Sequence, residues 1–246
     1  MNPEAIFRLD GRTILVTGAS SGIGRAIAVG CAAAGATVLA HGRDEARLNE
    51  TLAAMAHHGH RALVADLTVP EQLNAVAEAC PEVDGVVHSA GIHGVAPIRS
   101  LQADFLRRVF DINFFAPLLL TQRLLWKKRL KKEASILFMS SIAAKAGKVG
   151  VGPYSGSKAA LLGTMRPLAL EVAKHGIRVN ALCPGIVVTP IFAGNEEWLR
   201  DEVAKAYPLG LGQPEDVAHA AVFYLSGASR KITGTAFSID GGVPFI

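Results

Sequence analysis

Short runs of β-branched and apolar residues alternate with longer helical patterns along the chain. The runs are almost continuously hydrophobic, which is typical of parallel strands that are covered on both faces of a sheet. Strict alternation of strands and helices predicts a doubly wound α/β (Rossmann) fold with helices on both faces. The seven predicted strands are TILVTG (13–18), ATVLAHG (36–42), RALVADL (61–67), VDGVVHSAG (83–91), SILFMSS (135–141), IRVNALCPG (177–185) and GTAFSIDGG (234–242).

Helical patterns fill the segments between these strands. A length of 246 residues allows one large domain or two small ones. No repeat, low-complexity tract or linker divides the chain, so we expect a single domain over residues 1–246. The predicted helices cover about residues 24–35, 44–58, 70–80, 101–130 (bent at Pro117), 153–174, 195–206 and 214–227.

Composition and charge exclude several classes of protein. Half of the residues are hydrophobic, which allows a large core and disfavours disorder. The net charge of +4 does not require nucleic acid and suits an anionic cofactor or an acidic partner. Cys31, Cys80 and Cys183 are odd in number and far apart, which favours a reducing compartment over disulfides or zinc. The sequence shows no signal-peptide or membrane-span pattern, so we expect a cytoplasmic protein.

A glycine-rich turn, VTGASSGIGRA, joins the first predicted strand to the first helix. Gly18, Gly22 and Gly24 would allow a tight turn, a close approach of backbone to phosphate, and close packing of helix on strand. The N–H groups at the start of the helix then favour a pyrophosphate. Such a turn can also be purely structural, but its place in a βαβ unit predicts a dinucleotide site.

The end of the second strand, LAHGRDE, bears on the choice of dinucleotide. An NAD site usually presents a carboxylate here to the ribose 2′-hydroxyl, whereas an NADP site presents a cation to the 2′-phosphate. Gly42 has no side chain, and Arg43 supplies a guanidinium whose geometry suits phosphate. We therefore expect NADP(H), with NAD as the alternative. Arg43 could also be a solvated residue paired with Asp44.

Tyr154 and Lys158 lie four residues apart in GPYSGSKAALLG, which places them on one face of a predicted helix. Most pairs of Tyr and Lys at this spacing lie on the protein surface and have no catalytic role. A cation beside a phenol, however, favours the phenolate and lowers a pKa that is ordinarily about 10. The pair is therefore a candidate acid–base group with its tuning cation.

In combination and order, TGASSGIG, YSGSK and NALCPG resemble the short-chain dehydrogenase/reductase family, and the resemblance runs from about residue 10 to 243. The 3-oxoacyl-(acyl-carrier-protein) reductases are the most similar in appearance. The resemblance implies hydride transfer between NAD(P) and a carbonyl or alcohol, without a metal. It implies catalytic roles for Asn113, Ser141, Tyr154 and Lys158. It also implies cofactor contacts from Gly18, Ser20, Ser21, Gly22, Ile23, Gly24, Asp66, Leu67, Ala90, Gly91, Tyr154, Lys158, Pro184, Gly185, Val187 and Thr189.

The same resemblance implies individual roles. Ser141, thirteen residues before Tyr154, would hydrogen-bond the substrate oxygen. Lys158 would bind the nicotinamide ribose, Asn113 would hold a water that links Lys158 to solvent, and Asp66 would face the adenine amino group. The chain departs from the family where it has HSAG instead of Asn-Asn-Ala-Gly, and His88 could partly replace the bracing asparagine.

Four further features have alternative interpretations. His57, His58 and His60 could bind a metal, but they lie in a loop far from the proposed chemistry. The basic run WKKRLKKE (126–133) is either a helix C-terminus or a dock for an acidic carrier protein. Residues 188–212 resemble the family's substrate lid, in which Ile191, Phe192, Trp198 and Tyr207 could line a pocket. The family commonly forms tetramers, and FFAPLLL supplies apolar surface for a homodimer or homotetramer.

The leading hypothesis is an NADPH-dependent carbonyl reductase, with 3-oxoacyl reduction as the first candidate. An alcohol, sugar or steroid dehydrogenase that works oxidatively is the second. A catalytically silent dinucleotide-binding scaffold is the alternative outside enzymes, and the intact Ser141, Tyr154 and Lys158 argue against it.

Overall fold

The computed structural model describes residues 5–190, 194, 197, 199 and 203–243. Seven strands form one sheet in the order β3-β2-β1-β4-β5-β6-β7, and every neighbouring pair is parallel. This arrangement confirms the predicted doubly wound fold. The strands are β1 (Thr13–Thr17), β2 (Thr37–Gly42), β3 (Arg61–Val64), β4 (Val83–His88), β5 (Leu130–Met139), β6 (Arg178–Pro184) and β7 (Ala236–Ile239).

The helices described by the structure follow the predicted alternation. They are α1 (Gly22–Ala33), α2 (Glu45–Ala53), α3 (Pro70–Ala79), α4 (Ala103–Phe110), α5 (Ala116–Trp126), α6 (Gly152–Val172) and α7 (Pro214–Leu225). None of the helices in the described part of the chain is long and apolar enough to cross a membrane. Half of the residues in the helix predicted over 195–206 lie outside the described residues, and Ala204–Ala206 form a short 3₁₀ helix.

Helices cover both faces of the sheet, and each face has its own hydrophobic core. On one face, Leu15, Phe138 and Val179 pack against α3, α5 and α6. On the other, Ile14, Leu137 and Leu182 pack against α1 and α7. Alternate residues of a strand point to opposite faces, so each strand must be apolar at successive positions. This explains the continuous hydrophobic runs of the sequence.

The predicted long helix over 101–130 is interrupted. Residues Asp111–Phe115 form a π-helical turn between α4 and α5, and Pro117 follows in the first turn of α5. Proline has no N–H, so residue 117 cannot donate to the carbonyl of Asn113 four residues before it. The loss of this α-helical bond accompanies the change of hydrogen-bond pattern at the point where Asn113 lies.

The chain leaves α5 earlier than the sequence predicts. The helix ends at Trp126, Lys128 has a φ of 55°, and β5 begins at Leu130. Most of the basic run therefore lies in a turn and in the first part of a strand, and the interpretation as a helix C-terminus was wrong for residues 130–133. Lys127 pairs with Glu78 at 3.0 Å and Lys131 with Asp84 at 2.9 Å.

Candidate active site

A cleft of about 1390 Å³ opens at the carboxyl ends of the parallel strands. It lies where the strand order reverses between β1 and β4, the position at which ligands bind in open α/β sheets. Its lining includes almost every residue predicted to contact the cofactor: Gly18, Ser20, Ser21, Gly22, Ile23, Gly24, Arg43, Leu67, Ala90, Gly91, Tyr154, Lys158, Pro184, Gly185, Val187 and Thr189.

The glycine-rich turn forms the floor of this cleft. A Cβ on Gly18 would lie 2.8 Å from the backbone of Ala90, and one on Gly24 would clash with the carbonyl of Gly18. Gly18 and Gly22 also have positive φ angles, of 70° and 51°. Ser21 precedes α1 without capping it through its side chain. The turn therefore brings bare backbone and uncapped helix N–H groups to the cleft, which suits a pyrophosphate.

Thr17 fixes the turn to the neighbouring strand end. Its hydroxyl accepts hydrogen bonds from the backbone N–H groups of Ser89 and Ala90, both at 3.1 Å. The residue is buried at the end of β1, directly beside His88 of β4. The loop that holds Ala90 and Gly91 is thus tied to the glycine-rich turn, and the two walls of the cleft keep a fixed separation.

Two guanidinium groups lie at the end of β2. Arg43 and Arg47 both line the cleft, and a carboxylate oxygen of Asp66 lies 3.6 Å from the Arg43 guanidinium. Asp66 is not part of the lining; its Oδ1 accepts from the backbone N–H and the hydroxyl of Thr68. Among the described residues that line the cleft there is no aspartate or glutamate. This end of the cleft is therefore suited to an anion.

Ser141, Tyr154 and Lys158 come together on the opposite side. Ser141 follows β5, and its hydroxyl interacts with that of Tyr154 on α6. The Nζ of Lys158 donates to the carbonyl oxygen of Met139 at 2.7 Å and lies 5.7 Å from the centre of the Tyr154 ring. The Ser140 hydroxyl donates to the carbonyl of Lys158 at 2.9 Å, which holds α6 against the end of β5. This is the arrangement that the sequence pattern predicts.

Comparison with known proteins agrees with this geometry. The family model described as Enoyl-(Acyl carrier protein) reductase matches residues 18–244. The chain is a short-chain dehydrogenase/reductase. It is an NAD(P)-dependent oxidoreductase that acts on CH–OH and C=O groups, as its relatives are.

Individual relatives differ in their named substrates. Human (3R)-3-hydroxyacyl-CoA dehydrogenase is 35% identical, covering 96% of this chain and 97% of that protein. The 3-oxoacyl-[acyl-carrier-protein] reductase FabG of Rickettsia felis is 34% identical and covers 96% and 98%. A Beutenbergia cavernae protein, assigned as an NAD(P)-dependent gluconate 5-dehydrogenase and solved with NADP at low occupancy, is 37% identical with a TM-score of 0.89, covering 96% and 98%.

The electrostatics of the reductase site differ from the expectation for Tyr154. Burial raises the pKa of Tyr154, and the Ser141 hydroxyl opposes this shift. Burial likewise lowers the pKa of Lys158 to about 8, since its ammonium is almost fully enclosed. The protein groups alone therefore favour the neutral phenol, which is the form that donates a proton. The predicted lowering of the Tyr154 pKa by Lys158 is not present in this structure.

Asn113 is buried in the π-helical turn and faces the cleft loop. Its Oδ1 accepts from the backbone N–H of Ile92 at 2.8 Å, and its Nδ2 donates to the carbonyl of Ile92 and to the hydroxyl of Ser157, both at 3.0 Å. A Cβ on Gly91 would lie 3.0 Å from Asn113 Oδ1 and 3.3 Å from Lys158 Nζ. The amide thus braces the loop beside Lys158, and these three bonds use both of its N–H donors and one of the two acceptor positions of Oδ1.

His88 replaces the family's asparagine without losing a link between strand and helix. Its Nε2 lies 2.8 Å from the hydroxyl of Thr121 on α5, and its ring stacks on Phe138 at 5.1 Å. Burial lowers the pKa of His88 to about 3, with a smaller contribution from nearby His41. The imidazole of His88 is therefore neutral, and its contact with Thr121 holds β4 against α5 beneath the cleft.

Sequence reasoning missed many residues that line the cleft, among them Arg47, His93, Lys148 and Ser140. A signal existed for Arg47, which lies four residues after Arg43. His93 follows Gly91 closely in sequence, but only the fold places its ring 4.9 Å from that of Tyr154. Tyr207 was predicted as a pocket residue; it lines the cleft, and its hydroxyl accepts from the N–H of Ile186 at 3.1 Å. Ile191, Phe192 and Trp198 lie outside the described residues.

Two alternative interpretations receive no support. No group of three or more potential metal ligands occurs among the described residues, and His60 instead accepts from the N–H of Val38 at 3.1 Å. The basic run lies at the start of β5, whereas Ser141 follows its end. A strand of ten residues separates them by roughly 30 Å. A carrier bound at the basic run would therefore lie at the opposite end of β5 from the Ser141 of the same chain.

Proposed function

We propose that this protein is an NADPH-dependent carbonyl reductase whose substrates include 3-oxoacyl thioesters. The observation that carries the proposal is that Ser141, Tyr154 and Lys158 come together in one cleft. The same cleft contains the glycine-rich turn and an end that is suited to an anion. Burial adds a preference for the phenol form of Tyr154, which suits the reductive direction.

The choice of NADPH rests on the end of β2. Arg43 and Arg47 would hold the 2′-phosphate, since a guanidinium matches phosphate geometry. Gly42 occupies the position of the carboxylate that an NAD site presents. A Cβ there would lie 3.2 Å from the Ser20 hydroxyl, so the turn packs tightly against a residue without a side chain. Asp66, paired with Arg43, would orient that guanidinium and face the adenine.

Each catalytic side chain has one task in the proposed reaction. The nicotinamide supplies the hydride when the cofactor is bound. Tyr154 gives its phenolic proton to the carbonyl oxygen, and Ser141 hydrogen-bonds the same oxygen as negative charge develops. Lys158 would bind the nicotinamide ribose, and Asn113 acts as a positioning residue through the loop at Ile92. A water on Asn113 would bind its backbone carbonyl or the second acceptor position of Oδ1, since both N–H donors of the amide are used.

The named relatives support 3-oxoacyl thioesters as the first substrates to test, because two of them act on 3-oxoacyl or 3-hydroxyacyl groups. The similar gluconate 5-dehydrogenase assignment favours a second candidate, a sugar-acid dehydrogenase working oxidatively. If an acyl carrier protein presents the substrate, it should approach the open mouth of the cleft and not the basic run.

A homo-oligomer is part of the proposal. Four large apolar side chains on α5, the turn before it and α6 are exposed: Phe115, Leu119, Trp126 and Leu170. Such a surface is more than scattered single residues and suits a second copy of the chain. Light scattering should give a dimer or tetramer; a monomer would contradict this part.

We also propose that residues 188–212 act as a substrate lid on the single domain, since Val203, Ala206 and Tyr207 line the cleft.

Cys31, Cys80 and Cys183 are free and buried, which supports the proposed cytoplasmic location.

The deciding experiment follows NADPH absorbance with purified protein and a panel of acetoacetyl thioesters, quinones, sugars and steroids. Turnover of an acetoacetyl thioester with NADPH, lost in Tyr154→Phe, is the expected result. Absence of turnover with every carbonyl, or NADH preferred over NADPH, would contradict the proposal.

A further inference from the structure

The substrate side of the cleft has a rim of exposed aliphatic side chains. Val95 is 56% exposed and Val149 is 93% exposed, and both line the cleft. They belong to two loops that meet: the N–H of Ala96 donates to the carbonyl of Gly150 at 2.7 Å. A Cβ on Gly150 would lie 3.2 Å from Val95. Exposed apolar residues that are contiguous with catalytic groups mark a surface that a ligand covers.

The opposite wall is also apolar. Ile186, Val203, Ala206 and Tyr207 line it, and the Tyr207 hydroxyl is already bonded to the N–H of Ile186. Beyond Ser141 and Tyr154, which serve the reacting oxygen, the described side chains on this side that offer polar groups are His93 and Lys148. A polyhydroxy substrate would leave several hydroxyls without partners, at a cost for each that a hydrocarbon does not incur.

The imidazole of His93 lines the cleft beside the ring of Tyr154. Its ring centre lies 4.9 Å from that of Tyr154, with the planes inclined at 43°. Partial burial and nearby Lys148 lower the pKa of His93, so the imidazole is neutral at pH 7. A neutral imidazole has one donor and one acceptor. It can therefore hydrogen-bond one group next to the reacting carbonyl without requiring that group to be charged.

We infer that the substrate is a ketone with a hydrocarbon body lying over Val95 and Val149, and that His93 hydrogen-bonds a single polar group beside the reacting carbonyl. The inference rests on the proposed function and narrows it. It assigns His93 as a specificity-determining residue, and it excludes polyhydroxy ketones as efficient substrates.

The test compares matched ketones with NADPH. The series contains N-acetylcysteamine thioesters of 3-oxo acids of four, six and eight carbons, methyl ketones of the same lengths, and fructose as a polyhydroxy ketone. Burial of each added methylene should raise kcat/KM about threefold to fourfold. After correction for the small open-chain fraction of the sugar, fructose should be reduced at least about a hundredfold less efficiently than the six-carbon methyl ketone, because its hydroxyls lose water without gaining partners.

Substitutions of Val95, Val149 and His93 test which side chains cause these substrate preferences. Val95→Ser and Val149→Ser should flatten the dependence on chain length, whereas Val64→Ser, which changes a half-exposed valine outside the cleft lining, should retain it. His93→Phe should lower kcat/KM for the 3-oxo thioesters about tenfold more than for methyl ketones, and His93→Gln should recover part of the difference.

The outcomes separate this inference from the proposed function. Turnover that depends on Tyr154 but is flat with chain length, or that favours fructose, would overturn the hydrocarbon substrate and leave carbonyl reduction standing. Equal effects of His93→Phe on thioesters and methyl ketones would remove the assignment of His93. Absence of turnover with every ketone would contradict both proposals.

Discussion

The Nε2 atom of His88 lies 2.8 Å from the hydroxyl of Thr121, and that hydroxyl in turn lies 2.8 Å from the carbonyl of Pro117. Because the hydroxyl donates its proton to Pro117, it accepts from His88, which fixes the imidazole as the tautomer protonated at Nε2. The remaining atom, Nδ1, is a buried acceptor without a partner. The bond joins the end of β4 to the helix that follows the π-helical turn of Asn113.

Removing the Thr121 hydroxyl should destabilise the fold. Thr121→Val leaves the His88 N–H without an acceptor in the core, which costs about 1–3 kcal/mol in the free energy of unfolding. Urea denaturation measures the change. Thr164→Val removes a hydroxyl that bonds its own helix on α6 and should cost clearly less. Equal losses in the two variants would mean that the link between β4 and α5 has no special role.

Stability should fall in mild acid because two histidines are buried in the neutral form. Burial lowers the pKa of His41 to about 4 and that of His88 to about 3. In the unfolded chain both imidazoles bind protons below about pH 6.5. Between these values the unfolded state binds more protons, so stability is lost as the pH falls from about 6.5 towards 4.

Each histidine contributes at most about 1.4 kcal/mol per pH unit to this slope. Denaturation at several pH values should therefore show a shallower dependence in His88→Leu. The exposed His175→Gln variant should retain the wild-type slope. An unchanged slope in His88→Leu would show that His88 does not carry the effect.

Tyr154→Phe tests the acid–base assignment. The change removes only the hydroxyl that meets Ser141, so turnover should fall by about 10²- to 10⁴-fold, the usual contribution of a positioned acid. NADPH binding, followed by cofactor fluorescence, should persist. Tyr224→Phe alters a buried tyrosine outside the cleft lining and should keep its activity. Retained turnover in Tyr154→Phe would refute the assignment.

Arg43→Ala should separate the two cofactors. Loss of a charge-assisted contact with phosphate should raise the Kd for NADPH about 10- to 100-fold, with little change for NADH. Titration by protein fluorescence measures both. Arg107→Ala removes an exposed guanidinium that pairs with Asp104 away from the cleft and should change neither Kd. Equal weakening of NADPH and NADH would exclude a contact with the 2′-phosphate.

Local sequence patterns predicted the fold because they reflect local requirements. Strands buried on both faces must be continuously apolar, and a turn with no room for a Cβ must be glycine, as at Gly18 and Gly24. The i, i+4 spacing on α6 put Tyr154 and Lys158 on one side of a helix before any contact was known. These features determined the fold class, the glycine-rich turn of the dinucleotide site and the candidate acid.

The tertiary structure decided what depends on residues distant in the chain. Local spacing does not encode three of these features. They are the break of the long helix at Asp111–Phe115, the hydrogen bonds between Asn113 and Ile92, and the edge of the sheet at which the basic run lies. The direction of the Tyr154 pKa shift is another case, because desolvation depends on every group packed around the ring. His93 likewise became a candidate only when folding placed it beside Tyr154, since α4, α5 and β5 separate the two residues along the chain.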